Sequence, residues 1–91
     1  MKERINAKIF GRVQGVGFRY AVQKTAEELD LKGWVRNLDD GSVEVAVAGD
    51  KEDIEKFLEW VRCGTIFAKV EEIKVEKRKL TKNFQSFEIK F

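Results

Sequence analysis

The chain has no histidine, no proline and a single cysteine, Cys63, and nowhere in its 91 residues does an apolar run reach membrane-spanning length. Each absence removes a class of function. Without histidine, the commonest general base and the commonest metal ligand are both missing. Zinc sites and hydrolytic triads that depend on an imidazole are thereby excluded. One cysteine cannot form an internal disulfide, which is the expectation for a reducing, cytoplasmic setting. A helix needs about 20 apolar residues to cross a bilayer. The opening MKERINAKIF alternates polar and apolar residues and does not read as a signal peptide. No membrane partner is expected. Asparagine, glutamine, cysteine and methionine are scarce while lysine and glutamate abound, a composition resembling a thermophile's. The lack of proline adds nothing to that resemblance.

What is present is 43% hydrophobic and 37% charged. That suffices for one packed interior but not two, so a single domain over residues 1–91 is expected. Lysine and glutamate are interleaved and the formal net charge is only +2. Such a surface is solvated and globular, without the polybasic tail that attracts nucleic acid. No nucleic-acid partner is expected, and the protein is expected to be a monomer.

Apolar residues fall on odd positions at Ile5, Ala7, Ile9 and Val13, the period of a strand with one buried face. From Tyr20 to Leu31, Val22, Ala26 and Leu29 recur at helical spacing, with Gly33 as the breaker. GWVRNL reads as a second strand, and DDG at Asp39 to Gly41 as the turn before a third, SVEVAVAG. Asp50 is placed to cap a second helix, with Asp53 near its positive end. Ile54, Phe57, Leu58 and Val61 form that helix's apolar stripe, and Cys63-Gly64 ends it. A fourth strand covers about Phe67 to Arg78. Its phase slips between Val70 and Ile73, which predicts a bulge near Glu71-Glu72. SFEIKF supplies a fifth strand. Gly33, Gly41 and Gly49 read as turn residues.

The order β-α-β-β-α-β plus a short last strand predicts an α+β, ferredoxin-like split βαβ sandwich. An antiparallel or mixed sheet carries both helices on one face. Strands one and two then run parallel with strand three between them, so their carboxyl ends share one edge. Arg19 and Asn37 meet there, about 10 Å apart across the middle strand. If the last strand lies parallel to strand two, Phe91 and the terminal carboxylate approach Arg19.

The segment GRVQGVGFR, Gly11 to Arg19, joins the first strand to the first helix. Gly15 and Gly17 can adopt positive φ freely. Alternating such residues with ordinary ones turns successive N–H groups inward as an anion-binding nest. The loop feeds a helix N-terminus, where the dipole also favours an anion. Phe18 anchors the loop in the core, and Arg19 at the junction offers a fork matched to two phosphate oxygens. Glycine-rich loops of this kind also serve only to turn the chain, and spacing alone leaves both readings open. The loop is neither GxGxxG nor a Walker A motif, which argues against a nucleotide.

GRVQGVGFR together with GWVRNLDDGSVEVAVAG, Gly33 to Gly49, resembles both signature segments of the acylphosphatases. The resemblance extends through FLEWVR to the final FEI, nearly the whole chain, and implies the same ferredoxin-like fold. It implies an enzyme that hydrolyses carboxyl-phosphate anhydrides. The family's phosphate-binding arginine falls on Arg19, its water-orienting asparagine on Asn37, and its phosphate loop on Gln14, Gly15, Val16, Gly17 and Phe18. The implied partners are a small acyl phosphate and inorganic phosphate, with no cofactor and no metal. Two departures stand out. Leu38 follows the asparagine where some relatives carry a hydroxyl residue. RCGTIFAKV, Arg62 to Val70, replaces prolines of many relatives in what reads as a distal loop.

The remaining candidates have ordinary readings. Arg12 and Arg36 are expected as solvated surface charges, Trp34 and Trp60 as packing residues, and Cys63 as a helix-end packing residue. An RNA-binding RRM shares the element order but stacks bases on strand aromatics, and SVEVAVA has none. A stand-alone relative of the acylphosphatase-like domain of hydrogenase-maturation carbamoyltransferases would keep the site and prefer carbamoyl phosphate.

Overall fold

Ile5, Ala7 and Ile9 are all buried on one side of the first strand, as their period-two spacing requires. The computed structural model describes residues 2–80 and 84–91. Strand β1 (Lys2–Arg12) leads into helix α1 (Phe18–Glu28), then β2 (Lys32–Asn37) and β3 (Val43–Asp50). Helix α2 (Lys51–Cys63), β4 (Lys69–Arg78) and β5 (Phe87–Lys90) follow. The sheet order is β4-β1-β3-β2-β5. All neighbours pair antiparallel except β2 and β5, which run parallel. The sheet is therefore mixed. Helix α1 packs over β2 and β5, and α2 over β3 and β4, on a single face. Val43, Val45 and Val47 of the central β3 meet Val22 and Ala26 of α1 and Ile54, Phe57 and Val61 of α2 in one core.

Helix α1 begins two residues earlier and ends three residues earlier than its apolar spacing predicts. Its stop is a Schellman arrangement. Asp30 takes the left-handed conformation at φ 58, its N–H donates to Glu27 O, and Leu31 N–H donates to Ala26 O at 2.8 Å. Leu31 then turns inward and is buried, the contact that normally accompanies this motif. Glycine usually fills that left-handed position. An aspartate there gives no comparable signal, so the sequence points to Gly33 instead.

Gly33 is not a breaker but part of β2. At φ 147, a Cβ there would meet the Ala46 carbonyl oxygen of β3 at 1.8 Å. Glycine is needed because two backbones approach closely. Gly49 likewise lies inside β3, and only Gly41 sits in a turn. The bulge is where the phase slip puts it. Phe10 pairs with Glu72 and Gly11 with Val70, leaving Glu71 as the extra residue. Asp50 stands at the N-cap position of α2, and Glu52 and Asp53 occupy its first turn, where negative charge complements the helix dipole.

Candidate active site

Because β3 is antiparallel to both neighbours, β1 and β2 end at the same edge of the sheet. Residues 13–17 leave β1 there and enter α1. Gly15 has φ 73 and Gly17 has φ 74. An added Cβ would meet nothing within 4 Å at either, so the demand for glycine is conformational rather than steric. Val16 between them keeps an ordinary negative φ, since Asp30 is the sole non-glycine residue with positive φ among the described residues. That alternation turns neighbouring N–H groups to one side as a nest. Gly17 is itself the N-cap of α1, and the first turn of the helix holds no acidic residue. No acidic side chain of that turn competes with an incoming anion.

Arg19, half-buried in the first turn of α1, is held from the far end of the chain. Its Nη1 donates to the Lys90 carbonyl at 3.2 Å, and its guanidinium carbon lies 4.8 Å from the centre of the Phe91 ring. The parallel register that pairs Arg36 with Lys90 brings β5 to this edge, as the expected approach of Phe91 requires. Asn37, the last residue of β2, shares the inward side of that strand with Val35. Its Oδ1 is buried and has no hydrogen-bond partner among the described residues.

These groups line one cavity of about 160 Å³. Gly15, Gly17, Phe18 and Arg19 form one wall, Asn37 another, and Tyr20, Ile89 and Phe91 close the rim. Phe18 is buried and stacks on Trp60 at 6.2 Å, which fixes the end of the loop in the core. A wider depression of about 310 Å³ on the open face of the sheet, lined in part by Asn6, Lys8, Glu44 and Lys74, has no glycine loop and no helix terminus. Nothing there gathers N–H groups toward an anion.

Gln14 and Val16 turn their side chains elsewhere. Val16 packs against the core. Gln14 Nε2 donates to the carbonyls of Leu38 at 2.7 Å and Ser42 at 2.8 Å. It ties the loop to the turn that immediately follows Asn37. That turn has its own bracing: Leu38 N–H donates to Ser42 O, and buried Ser42 donates from both Oγ and N–H to Asp40 Oδ1. These donors, the hydroxyl first, hold the Asp40 carboxyl below the usual carboxylate range. Its contribution is therefore present at neutral pH and is lost only as pH falls through that lowered value.

The role of Gln14 as a tie could not be read locally, since its acceptors lie 24 and 28 residues away. Tyr20 and Ile89 on the rim read from sequence only as helix and strand positions. Arg36 stands apart from the site. It points to the open face, over Trp34, and is bound to Glu44 Oε1 at 2.7 Å, as a surface charge.

Comparison with known proteins follows the same lines. The family model described as Acylphosphatase matches residues 5–89. An acylphosphatase of Bacillus licheniformis is 49% identical over 81 residues, which is 89% of this chain and 90% of that protein. One of Geobacillus kaustophilus is 43% identical over 98% of this chain and 95% of its own. The crystal structure of acylphosphatase from Bacillus subtilis superimposes with a TM-score of 0.94 at 40% identity, covering 100% of both chains. The matched span takes in the glycine loop, the β2 end and most of β5, and the chain belongs to the acylphosphatase family, enzymes that hydrolyse acyl phosphates.

Proposed function

We propose that residues 1–91 act as one domain in which acyl phosphates are hydrolysed by direct in-line attack of water, with charge and position as the whole of catalysis. The observation that carries this reading is the single cavity shared by Gly15, Gly17, Arg19 and Asn37. Its 160 Å³ leaves room for a phosphoryl group and a water, whose share of liquid volume is about 30 Å³. Loop N–H groups from Gln14 to Phe18 and the Arg19 fork take the phosphoryl oxygens. The Asn37 amide orients the water, its oxygen accepting a hydrogen bond from the water and its NH2 donating one to it.

In the reaction the water oxygen bonds to phosphorus and the bond from phosphorus to the acyl oxygen breaks. The electron pair leaves on a carboxylate, and the proton of the water passes to a phosphoryl oxygen. Carboxylates are weak bases with conjugate acids near pKa 4, so no general acid is needed. The loose transition state leaves mainly electrostatic work, which Arg19 and the oriented N–H groups supply in place of a metal. Cys63 is exposed at the end of α2 instead of packing there as expected, and as a free thiol it fits a reducing compartment, the cytoplasm.

The test is turnover of benzoyl phosphate against a simple alkyl phosphate, each with and without EDTA. Benzoyl phosphate should be hydrolysed equally in both conditions, with inorganic phosphate as a competitive inhibitor. The alkyl ester should be poor, because an alkoxide needs an acid to leave. Activity that falls in EDTA and returns with a divalent ion, or rapid alkyl-ester hydrolysis, refutes the mechanism.

Gln14 enters this scheme as a positioning residue. Gln14→Leu keeps roughly the size of the side chain and removes both hydrogen bonds, so the Leu38 and Ser42 carbonyls lose a half-buried donor. Stability should fall by about 1–3 kcal/mol. Well below the melting transition, kcat should fall as well, because the gap between loop and Asn37 is no longer set. A melting temperature and kcat equal to those of the parent would remove Gln14 from the site.

A further inference from the structure

We propose that the turn at Thr65–Ala68 is a contact for an anionic lipid surface, independent of the catalytic reading. The core takes in most of the large apolar side chains, yet Ile66 is 95% exposed and its neighbour Phe67 is 72% exposed. The turn that presents them is closed at its base. Thr65 N–H donates to the Ala68 carbonyl at 3.3 Å, and Ala68 N–H donates to Thr65 Oγ1 at 2.9 Å. Gly64, at φ 71, lets the chain leave α2 in that direction. Ile66 and Phe67 are thus the two tip residues of a hydrogen-bonded turn. Single exposed apolar residues are common on protein surfaces; two adjacent large ones on a built projection call for a partner.

The surroundings indicate which partner. Arg12, Arg62 and Lys69 line the depression beside the tip, and no carboxylate lines it with them. Arg12 and Lys69 stand directly opposite each other in register, a like-charge pairing that is unfavourable unless an anion answers it. Glu71 and Glu72 lie in the next depression, which they share with Arg62. An apolar tip within a cationic collar matches an anionic bilayer, where the side chains enter the interface and the cations meet headgroups. A protein partner fits less well. Two such side chains present on the order of a few hundred Å², whereas a stable protein interface clears about 1,000 Å².

No helix among the described residues is long and apolar enough to cross a membrane, and that lack of a spanning segment is why no membrane partner is expected from the sequence. Surface docking needs none. The segment 62–70 is also less remote than its sequence suggests. The Arg12–Lys69 pair closes the β1–β4 ladder at the edge from which the anion loop departs, so a docked tip turns the active-site edge toward the headgroups.

The test is co-sedimentation of the full chain with vesicles of phosphatidylglycerol and phosphatidylcholine, and with vesicles of phosphatidylcholine alone. The parent protein should pellet with the anionic vesicles and be partly released by salt. The double variant Ile66→Asn/Phe67→Ser should partition about a hundredfold more weakly. Arg62→Gln/Lys69→Gln should partition about thirtyfold more weakly, on anionic vesicles only. Benzoyl phosphate turnover and melting of the variants should match the parent, since none of these residues lines the catalytic cavity. Failure of the parent to pellet, or pelleting unchanged in the tip variant, overturns the proposal. So does a dimer seen by light scattering without vesicles and lost in the tip variant, which assigns the tip to a second copy of the chain.

Discussion

Arg19→Gln should lower kcat by a factor of about 10³ or more, the scale on which an arginine stabilises phosphoryl-transfer charge. That corresponds to about 4 kcal/mol of transition-state stabilisation. Arg19 would touch the phosphoryl group in ground state and transition state alike, so inhibition by inorganic phosphate should weaken in the same variant. Arg19→Lys should not rescue either property. An ammonium lacks the planar fork, and it cannot reproduce the present geometry, in which one Nη is spent on the Lys90 carbonyl while the plane lies over Phe91. The fold should survive both changes. An exposed hydrogen bond and one cation–π contact are each worth about 1 kcal/mol or less. Kinetics with a phosphate inhibition series, alongside thermal melting, decides the matter. Phosphate inhibition of Arg19→Gln at the parental level would remove the arginine from the anion site.

Asn37→Ala should separate water from phosphate. A lost positioning contact is expected to cut kcat by about 10², while the phosphate inhibition constant stays near the parental value. Stability should move in the opposite direction to activity, or not at all. Asn37 Oδ1 is buried without a partner among the described residues, and a buried unsatisfied acceptor costs about 1–3 kcal/mol. Removing the amide relieves that cost. A variant that is less active and no less stable is the pattern expected of a residue retained for chemistry at the expense of the fold. Parental kcat, or a large fall in melting temperature with weakened phosphate binding, would contradict the role.

The meeting of Arg19 and Asn37 at one cavity was legible because two independent regularities converge on it. The handedness of the crossovers brings the ends of β1 and β2 to one edge, and the two motif segments place one residue at each end. The bulge at Glu71 was legible because a strand that changes phase must gain a residue. Other features depended on distance or on a residue type with no strong local preference. Asp30 closes α1 in a conformation that its side chain tolerates but does not announce. Gly33 looks like punctuation until the carbonyl of Ala46 is seen against it. Gln14 sits inside a recognised motif, yet its task lies across the sheet edge. Phe18 read correctly as an anchor, but its partner, Trp60, belongs to the other helix.

The contact between Arg19 and the Lys90 carbonyl spans 71 positions of the chain. The glycine loop precedes β5 in the chain, so on synthesis the anion loop exists before the partner that holds its arginine. Pairings of such long range are also the slow ones to form. In refolding, helical signal can return before β5 has found β2, and a chain at that stage carries every residue of the site in an unfinished arrangement. On the role proposed for Arg19, turnover of benzoyl phosphate should therefore return later in refolding than helical signal does.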